Sequence, residues 1–208
     1  APSPSVKDLG VTLDQHMSMN SFIAKTCSMC YLHLRDIAAI RDSLTEDAAN
    51  QLVHALISSR LDYCNALLIG APDYAIARLQ RLQNMAARVV TRSPRWCSAS
   101  ALLKKLHWLP VKPRIIFKTL LLTFKALNGS APSYVTELLS GYVPSRPLRS
   151  EDSLLLNVPR TVNKYGDNCF EHAAPVLWNS LPFYIRSSDN ALVFKSRLKT
   201  HLFKSAFT

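Results

Sequence analysis

The sequence predicts a mainly α-helical protein with a short N-terminal β-strand and a loop-rich C-terminal extension. Apolar residues recur at helical spacing through most of the chain, and prolines and an Asn-Gly pair separate these segments. The composition of 48% hydrophobic and 19% charged residues is ordinary for a folded domain. A chain of 208 residues is therefore long enough to bury a substantial core.

The first third of the chain predicts one strand followed by two helices. Residues 7–14 alternate apolar and polar positions, which indicates a short strand. Residues 20–43 have helical periodicity. Thr45 is placed to cap a second helix that reaches about Leu61, because acidic residues fill its first turn, where the helix dipole favours them.

Residues 73–92 form the clearest amphipathic helix of the sequence. The predicted apolar face consists of Ile76, Leu79, Leu82, Ala86, Val89 and Val90. At about 100° per residue, four arginines fall in a stripe beside that face: Arg78, Arg81, Arg88 and Arg92. Guanidinium groups suit phosphate because they are permanently charged and donate in a fixed fork. The alternative interpretation is a solvated cationic face.

A short helix over residues 98–106 precedes two prolines and a strongly apolar helix at 114–127. The charges of the latter helix, Arg114, Lys118 and Lys125, lie within about 40° of one another and make a second basic line. Asn128-Gly129 is a suitable C-cap pair for this helix.

Residues 142–165 are rich in proline and arginine, which is typical of a linker or surface loop. A strand-like run at 154–158 lies inside this stretch, and two helices are predicted after it, around 170–178 and at 191–207. The predicted division of the chain is 1–14 for the strand, 15–141 for a helical domain, and 142–208 for the linker and C-terminal extension.

Lysine and arginine outnumber acidic residues 25 to 14, which gives a net charge of +11. Such an excess favours a polyanionic partner, with nucleic acid first and an anionic membrane surface second. No apolar run approaches the roughly 20 residues that a membrane span needs. The chain opens at Ala1 without an initiator methionine, and we expect it to be a piece of something longer.

Five irregularly spaced cysteines predict a reducing, intracellular compartment, cytoplasmic or nuclear, rather than a disulfide framework. Cys27 and Cys30 have the spacing of half a zinc site. The alternative, which the helical pattern favours, is that they are two small core residues one turn apart.

Four aromatic residues are candidates for stacking on bases: Tyr63, Trp96, Trp108 and Trp178. Aromatic side chains bordered by leucine and proline are more often core, and we expect core positions for all but Trp96, which lies between Arg95 and Cys97 after a proline. His107 is expected to be a packed or capping residue rather than a catalytic one.

Eight sequence blocks, in the same order, resemble the C-terminal end of the reverse transcriptase polyprotein of non-LTR retrotransposons (LINEs) of the chicken-repeat/jockey-like group. These blocks are LGVTLD, SRLDYCNALLIGAP, RLQRLQNMAARVV, LKKLHWLPVKPRIIFK, KALNGSAPSYVTELL, PSRPLRS, AAPVLWNSLP and FKSRLKTHLF. The resemblance covers nearly the whole chain. It implies that residues 1–14 end the polymerase palm with a primer-grip-like strand and that the following helices form a thumb-like bundle.

The resemblance also implies what this chain lacks. Nucleotidyl transfer by two metal ions requires clustered carboxylates, and the family's polymerase motif carries two adjacent aspartates, a pair that occurs nowhere in this sequence. We therefore expect no catalysis and no cofactor in this chain, whereas the parent polymerase would need Mg²⁺. The expected partners are RNA, RNA–DNA duplex, and the palm and fingers of the parent enzyme, with no membrane.

The predicted function is a non-catalytic grip on template RNA and nascent cDNA through their phosphates. The residues expected to contact nucleic acid are Arg78, Arg81, Arg88, Arg92, Arg95, Arg114, Lys118 and Lys125. The alternative is a protein-interaction or structural scaffold, exapted or left from a decayed element, whose basic faces dock acidic protein surfaces.

Overall fold

In the computed structural model, which describes residues 5–143 and 154–208, the chain begins with a β-hairpin. Strands β1 (Ser5–Asp8) and β2 (Val11–Asp14) pair antiparallel. The prediction of one continuous strand over residues 7–14 is therefore wrong at residues 9 and 10, where the chain turns. Leu9 and Gly10 have φ angles of 43° and 84°, and two successive positive φ values give the tight turn that suits the twist of a two-residue hairpin.

The hairpin is followed by helices that fill the N-terminal half of the chain. In order these are α1 (Asn20–Ala39), a 3₁₀ turn (Arg41–Ser43), α2 (Glu46–Val53), a π-helical turn (His54–Ser58), α3 (Ser59–Asp62), a 3₁₀ turn (Asn65–Leu68), α4 (Asp73–Thr91) and α5 (Ala99–Lys105). The helices predicted at 20–43, 73–92 and 98–106 are confirmed, although the first ends in a 3₁₀ turn.

Thr45 caps α2 as predicted. Its side-chain oxygen accepts a hydrogen bond from the backbone N–H of Ala48 at 3.1 Å, which satisfies one of the N–H groups that a helix start leaves unpaired. The helical path continues to Asp62, close to the predicted end at Leu61. The π-helical turn in its middle was not predicted.

The remaining helices are α6 (Val111–Leu127), α7 (Ser133–Thr136), α8 (Lys164–Asp167), α9 (Phe170–Asn179), α10 (Phe183–Arg186) and α11 (Ala191–Phe207). Helix α6 begins before the predicted residue 114, because Pro113 fits in the first turn, where its missing N–H would have no intrahelical partner. Its predicted end is confirmed. Gly129 has φ 65°, and the N–H of Ser130 closes the helix on the carbonyl oxygen of Lys125 at 2.8 Å.

The strand predicted at 154–158 is reduced to one isolated bridge between Gly141 and Leu156. The amide side chain of Asn179 accepts from the N–H of Leu156 at 2.9 Å and donates to its carbonyl oxygen at 2.8 Å. A side chain thus satisfies backbone groups that a neighbouring strand would otherwise pair. The rest of the predicted linker falls partly on residues 144–153, outside the described residues.

The chain forms two compact units, called here the first unit (residues up to 114) and the second unit (residues 115–206). The chain passes from one unit to the other after residue 114, and the division predicted from the sequence, after residues 14 and 141, stays a prediction. In the first unit α1 packs against α4, with Ile23, Leu34, Leu79 and Val90 among the buried residues.

The core of the second unit contains a stack of aromatic rings. Phe194 of α11 stacks on Phe124 of α6, with ring centroids 4.3 Å apart. Its other neighbour in the stack is Trp178 of α9, with centroids 5.8 Å apart. The prediction that Trp178 is a core residue is confirmed.

Candidate nucleic-acid interface

Helix α4 buries one side and exposes arginines on the other. Its buried residues are Ala75, Leu79, Leu82, Gln83, Ala86, Ala87 and Val90. The predicted apolar face is thus largely confirmed, although Ile76 and Val89 are only half-buried. The buried side extends to Gln83, whose side-chain amide donates to the carbonyl oxygen of Leu109 at 2.8 Å.

An open groove of about 740 Å³ runs along α1 and α4 in the first unit. Five arginines line it: Arg35, Arg41, Arg88, Arg92 and Arg95. Leu34, Met85 and Val89 add apolar surface, and Asp42 is the acidic residue in this lining. The groove therefore combines a cationic rim with apolar side chains. We call it the arginine groove.

Two arginines of the arginine groove hold the C-terminal end of α4. Arg41, only 7% exposed, donates to the carbonyl oxygens of Val89 (2.9 Å), Val90 (2.6 Å) and Leu44 (2.7 Å). Arg92, the C-cap residue, donates to the carbonyl oxygens of Arg41 at 2.9 Å and Asp42 at 3.1 Å. Helix C-terminal carbonyls lack intrahelical partners, so these guanidinium groups stabilise the fold locally.

Arg88 is half-buried and partly engaged in the same way. Its Nη2 donates to the carbonyl oxygen of Cys97 at 3.2 Å. Its Nε is buried and has no hydrogen-bond partner in the described part of the chain. Arg88 therefore fixes the segment after α4 and retains donor capacity.

Three of the predicted contact residues have guanidinium groups that no described residue outside α4 engages. Arg81 is exposed, and within the described residues its guanidinium bonds only to the carbonyl oxygen of Ala77 in its own helix, at 3.3 Å. Among described residues, none forms a hydrogen bond or ion pair with the guanidinium of Arg78 or Arg95. Arg78 and Arg81 line a small pocket of about 170 Å³ together with Tyr31.

The segment after α4 presents an aromatic side chain beside Arg95. Trp96 is 87% exposed, whereas Trp108 is buried, so both expectations for these tryptophans are confirmed. The core position expected for Tyr63 is wrong, because this residue is half-exposed. The Tyr63 hydroxyl donates to the carbonyl oxygen of Leu9 in the hairpin turn, which explains its place at the surface.

The three residues of the second basic line differ in whether their charged groups are available to a ligand. The Arg114 Nε donates to Asp62 Oδ1 at 2.8 Å, and a second contact joins Nη2 and Oδ2, so the guanidinium is held by a carboxylate. Lys118 is exposed and Lys125 is half-buried. In the described ranges, no residue forms an ion pair with either lysine.

Cys27 and Cys30 are both buried in α1, as the core interpretation predicted. Burial raises the pKa of Cys30 to about 11 and also raises the pKa of Cys27, where Arg78 and Arg81 oppose the rise. Both residues are therefore thiols at neutral pH. Within residues 5–143 and 154–208, no group of three or more His, Cys, Asp or Glu side chains could hold a metal ion.

Sequence reasoning missed Arg35 and Arg41 as members of the arginine groove. Arg35 follows the periodicity of α1 on its exposed side, and this signal was available from the sequence. No local signal identifies Arg41, because its partners Val89 and Val90 lie 48 and 49 residues further along the chain.

No helix in the described parts of the chain is long and apolar enough to cross a membrane. No family model, curated protein or solved structure matches this chain. The function is therefore inferred from the arginine groove and from the unengaged cations of α4.

Proposed function

We propose that this chain is a non-catalytic, nucleic-acid-gripping segment of a LINE-type reverse transcriptase. It would hold template RNA and RNA–DNA duplex through their phosphates. The observation that supports this function best is the arginine groove, since five arginines line an open surface with one acidic side chain among them. Such a surface favours a polyanion.

The unengaged arginines carry most of the proposed grip. Arg78, Arg81 and Arg95 can donate to phosphate without giving up a bond to another part of the fold. Arg88 and Arg92 contribute charge while they keep their carbonyl partners. Lys118 and Lys125 remain in the proposal, whereas Arg114 leaves it because Asp62 already neutralises its guanidinium.

Trp96 adds a stacking surface at one end of the proposed interface. A base or terminal base pair can stack on an indole that is 87% exposed, and stacking is worth about 1–3 kcal/mol per base. Because phosphate contacts fix position and carry no sequence information, we propose a grip that does not depend on sequence.

The chemistry of polymerisation would belong to another part of the parent enzyme. Two-metal nucleotidyl transfer requires clustered carboxylates, and this sequence has no adjacent pair of aspartates. In the proposal, Mg²⁺ and the incoming nucleotide are bound by a palm and fingers, and this chain restrains the template and the growing strand.

The proposal is tested by titrating the purified chain with a primed RNA–DNA duplex at several salt concentrations. Neutralising about five phosphates predicts a log–log slope of affinity against salt near −4. The variant R78E/R81E/R95E should lose most of the affinity and flatten this slope, with unchanged thermal unfolding. The matched control is R160E/K199E/K204E, which makes the same change in net charge at exposed residues of the second unit.

Equal losses in the two triple variants would show that net charge, not the position of these three arginines, governs binding. Full binding by R78E/R81E/R95E would remove these three unengaged arginines from the interface. A cooperatively folded wild-type chain that binds no nucleic acid would reject the grip and support the alternative, in which the same cations dock an acidic protein surface.

A further inference from the structure

The second unit contains a buried arginine that the proposed grip does not use. Arg186 ends α10 and is only 9% exposed. Its Nη1 donates to the carbonyl oxygen of Asn179 at 3.1 Å, and its Nε is buried without a hydrogen-bond partner among the described residues. No described carboxylate forms an ion pair with it.

Arg186 lines a pocket of about 570 Å³, called here the Arg186 pocket. Phe124, Leu127, Leu156 and Trp178 contribute apolar surface, and Ser187 stands beside the arginine in the lining. The volume is within the range of small-molecule sites. The lining therefore combines an apolar body with one cation.

Three other polar groups of this lining have hydrogen-bond partners among the described residues. The indole Nε1 of Trp178 donates to the carbonyl oxygen of Leu154 at 2.8 Å. The N–H of Tyr142 donates to the carbonyl oxygen of Leu155 at 2.9 Å, and the side-chain amide of Asn128 donates to the carbonyl oxygen of Phe124 at 2.8 Å. Arg186 is thus the lining residue whose buried donor lacks an acceptor.

A buried cation without a counter-charge is unfavourable. Burial lowers the pKa of Arg186, but a guanidinium stays protonated in proteins. The unfavourable burial is therefore relieved by an anion rather than by loss of a proton. A carboxylate matches the guanidinium fork with two parallel acceptors.

We propose that the Arg186 pocket binds a small monocarboxylate with an aromatic or aliphatic body. The carboxylate would pair with the guanidinium, and the body would lie against Phe124, Leu127 and Trp178. One buried cation calls for one negative charge, and the apolar lining disfavours polyanions such as nucleotide phosphates. This site is independent of the arginine groove, since all of its lining residues belong to the second unit.

The test compares two ligands of nearly equal shape, 3-phenylpropionate and 3-phenylpropanamide, by calorimetry on the full chain. Because hydrogen bonds to charged groups are the stronger class, we expect the carboxylate to bind at least about tenfold more tightly than the amide. The variant Arg186→Met should abolish this preference. Since that variant also loses the bond to Asn179, its thermal unfolding is measured alongside.

A second variant tests the pocket without altering Arg186. Leu127→Trp enlarges a side chain of the lining that is 42% exposed, and it should reduce the affinity for both ligands by a similar factor. Glu151→Gln/Asp152→Asn controls for the carboxylates that precede Leu154 in the sequence. This double variant should bind the carboxylate with unchanged affinity.

Three results would overturn the proposal. The first is equal binding of the amide and the carboxylate by the wild-type chain, and the second is no binding of either ligand by a folded sample. The third is a large gain of carboxylate affinity in the double variant, which would identify the chain's own acidic residues as the counter-charge of Arg186.

Discussion

The arginines at the two ends of α4 have different roles. At the C-terminal end, Arg41 and Arg92 donate to backbone carbonyl oxygens and hold the helix end against the preceding turn. Towards the N-terminal end, Arg78 has no acceptor among the described residues, and Arg81 has one inside α4 itself, the carbonyl oxygen of Ala77. For Arg41 the difference follows from the helix itself, because the last carbonyls of a helix lack N–H partners and carry partial negative charge. Arg92 instead bonds carbonyl oxygens of the turn before α2.

This comparison separates arginines that maintain the fold from arginines that are available to a ligand. A guanidinium that already bonds two or three carbonyls loses those bonds if it turns to a phosphate. A guanidinium that faces solvent gives up only hydrogen bonds to water when it binds a phosphate. The comparison thus predicts which substitutions change the free energy of unfolding and which change binding alone.

The largest effect is expected for Arg41→Met. This change removes three hydrogen bonds from a buried guanidinium and leaves the carbonyl oxygens of Val89 and Val90 without that donor. We expect the free energy of unfolding to fall by about 3 kcal/mol. Urea denaturation measures this loss, with Arg81→Met as the matched control at an exposed position.

For Arg81→Met we expect a change within about 0.5 kcal/mol. A similar loss in both variants would contradict the division of α4 into a structural end and an available end. In that case the loss of one positive charge would by itself account for the lower free energy of unfolding.

A smaller effect is expected where Asp62 is changed to Asn. Arg114 has a side chain that is 17% exposed, so it would lose its counter-charge in a partly buried setting. We expect a loss of about 1–2 kcal/mol in the free energy of unfolding and a rise in affinity for RNA–DNA duplex, because Arg114 becomes available.

Asp42→Asn is the control for that experiment. The Asp42 carboxylate is fully exposed and lies 3.9 Å from Arg92, so its removal should leave the free energy of unfolding unchanged within experimental error. A duplex affinity that falls in the Asp62 variant would contradict the role assigned to Arg114.

The finest distinction is between Arg92→Met and Arg95→Met. Arg92 bonds the turn before α2, and its loss should lower the free energy of unfolding by about 1 kcal/mol. Arg95 has no described partner, so its loss should leave stability unchanged and reduce the magnitude of the salt slope by about one. Melting curves and salt titrations of the two variants would show whether these effects separate. An equal change of salt slope in both variants would contradict the distinction between arginines that maintain the fold and arginines that are available to a ligand.

Local signals in the sequence predicted most of the helices. The Thr45 cap, the Asn128-Gly129 end and the amphipathic pattern of α4 each depend on residues within one or two turns, so a single sequence is sufficient to find them. The hairpin was missed because its turn begins with Leu9, a residue that rarely adopts a positive φ.

The candidate site was predicted less completely, for a physical reason. Helical spacing gives the direction of Arg78, Arg88 and Arg92 around the axis of α4, but it does not give the acceptors that face them. The partners of Arg114 and Arg186, Asp62 and Asn179, come from other elements. Whether a guanidinium is engaged therefore depends on tertiary contacts.

The π-helical turn His54–Ser58 fixes the number of residues that the helical stretch around it can contain. Buried positions there recur every fourth residue, at Ala49, Val53, Ile57 and Leu61. A uniform α-helix would drift by about 40° at each such step, and the wider turn reduces that drift. Deleting one residue would rotate Asp62 by about 100° away from Arg114. In evolutionary terms, this stretch can exchange side chains far more easily than it can change its length.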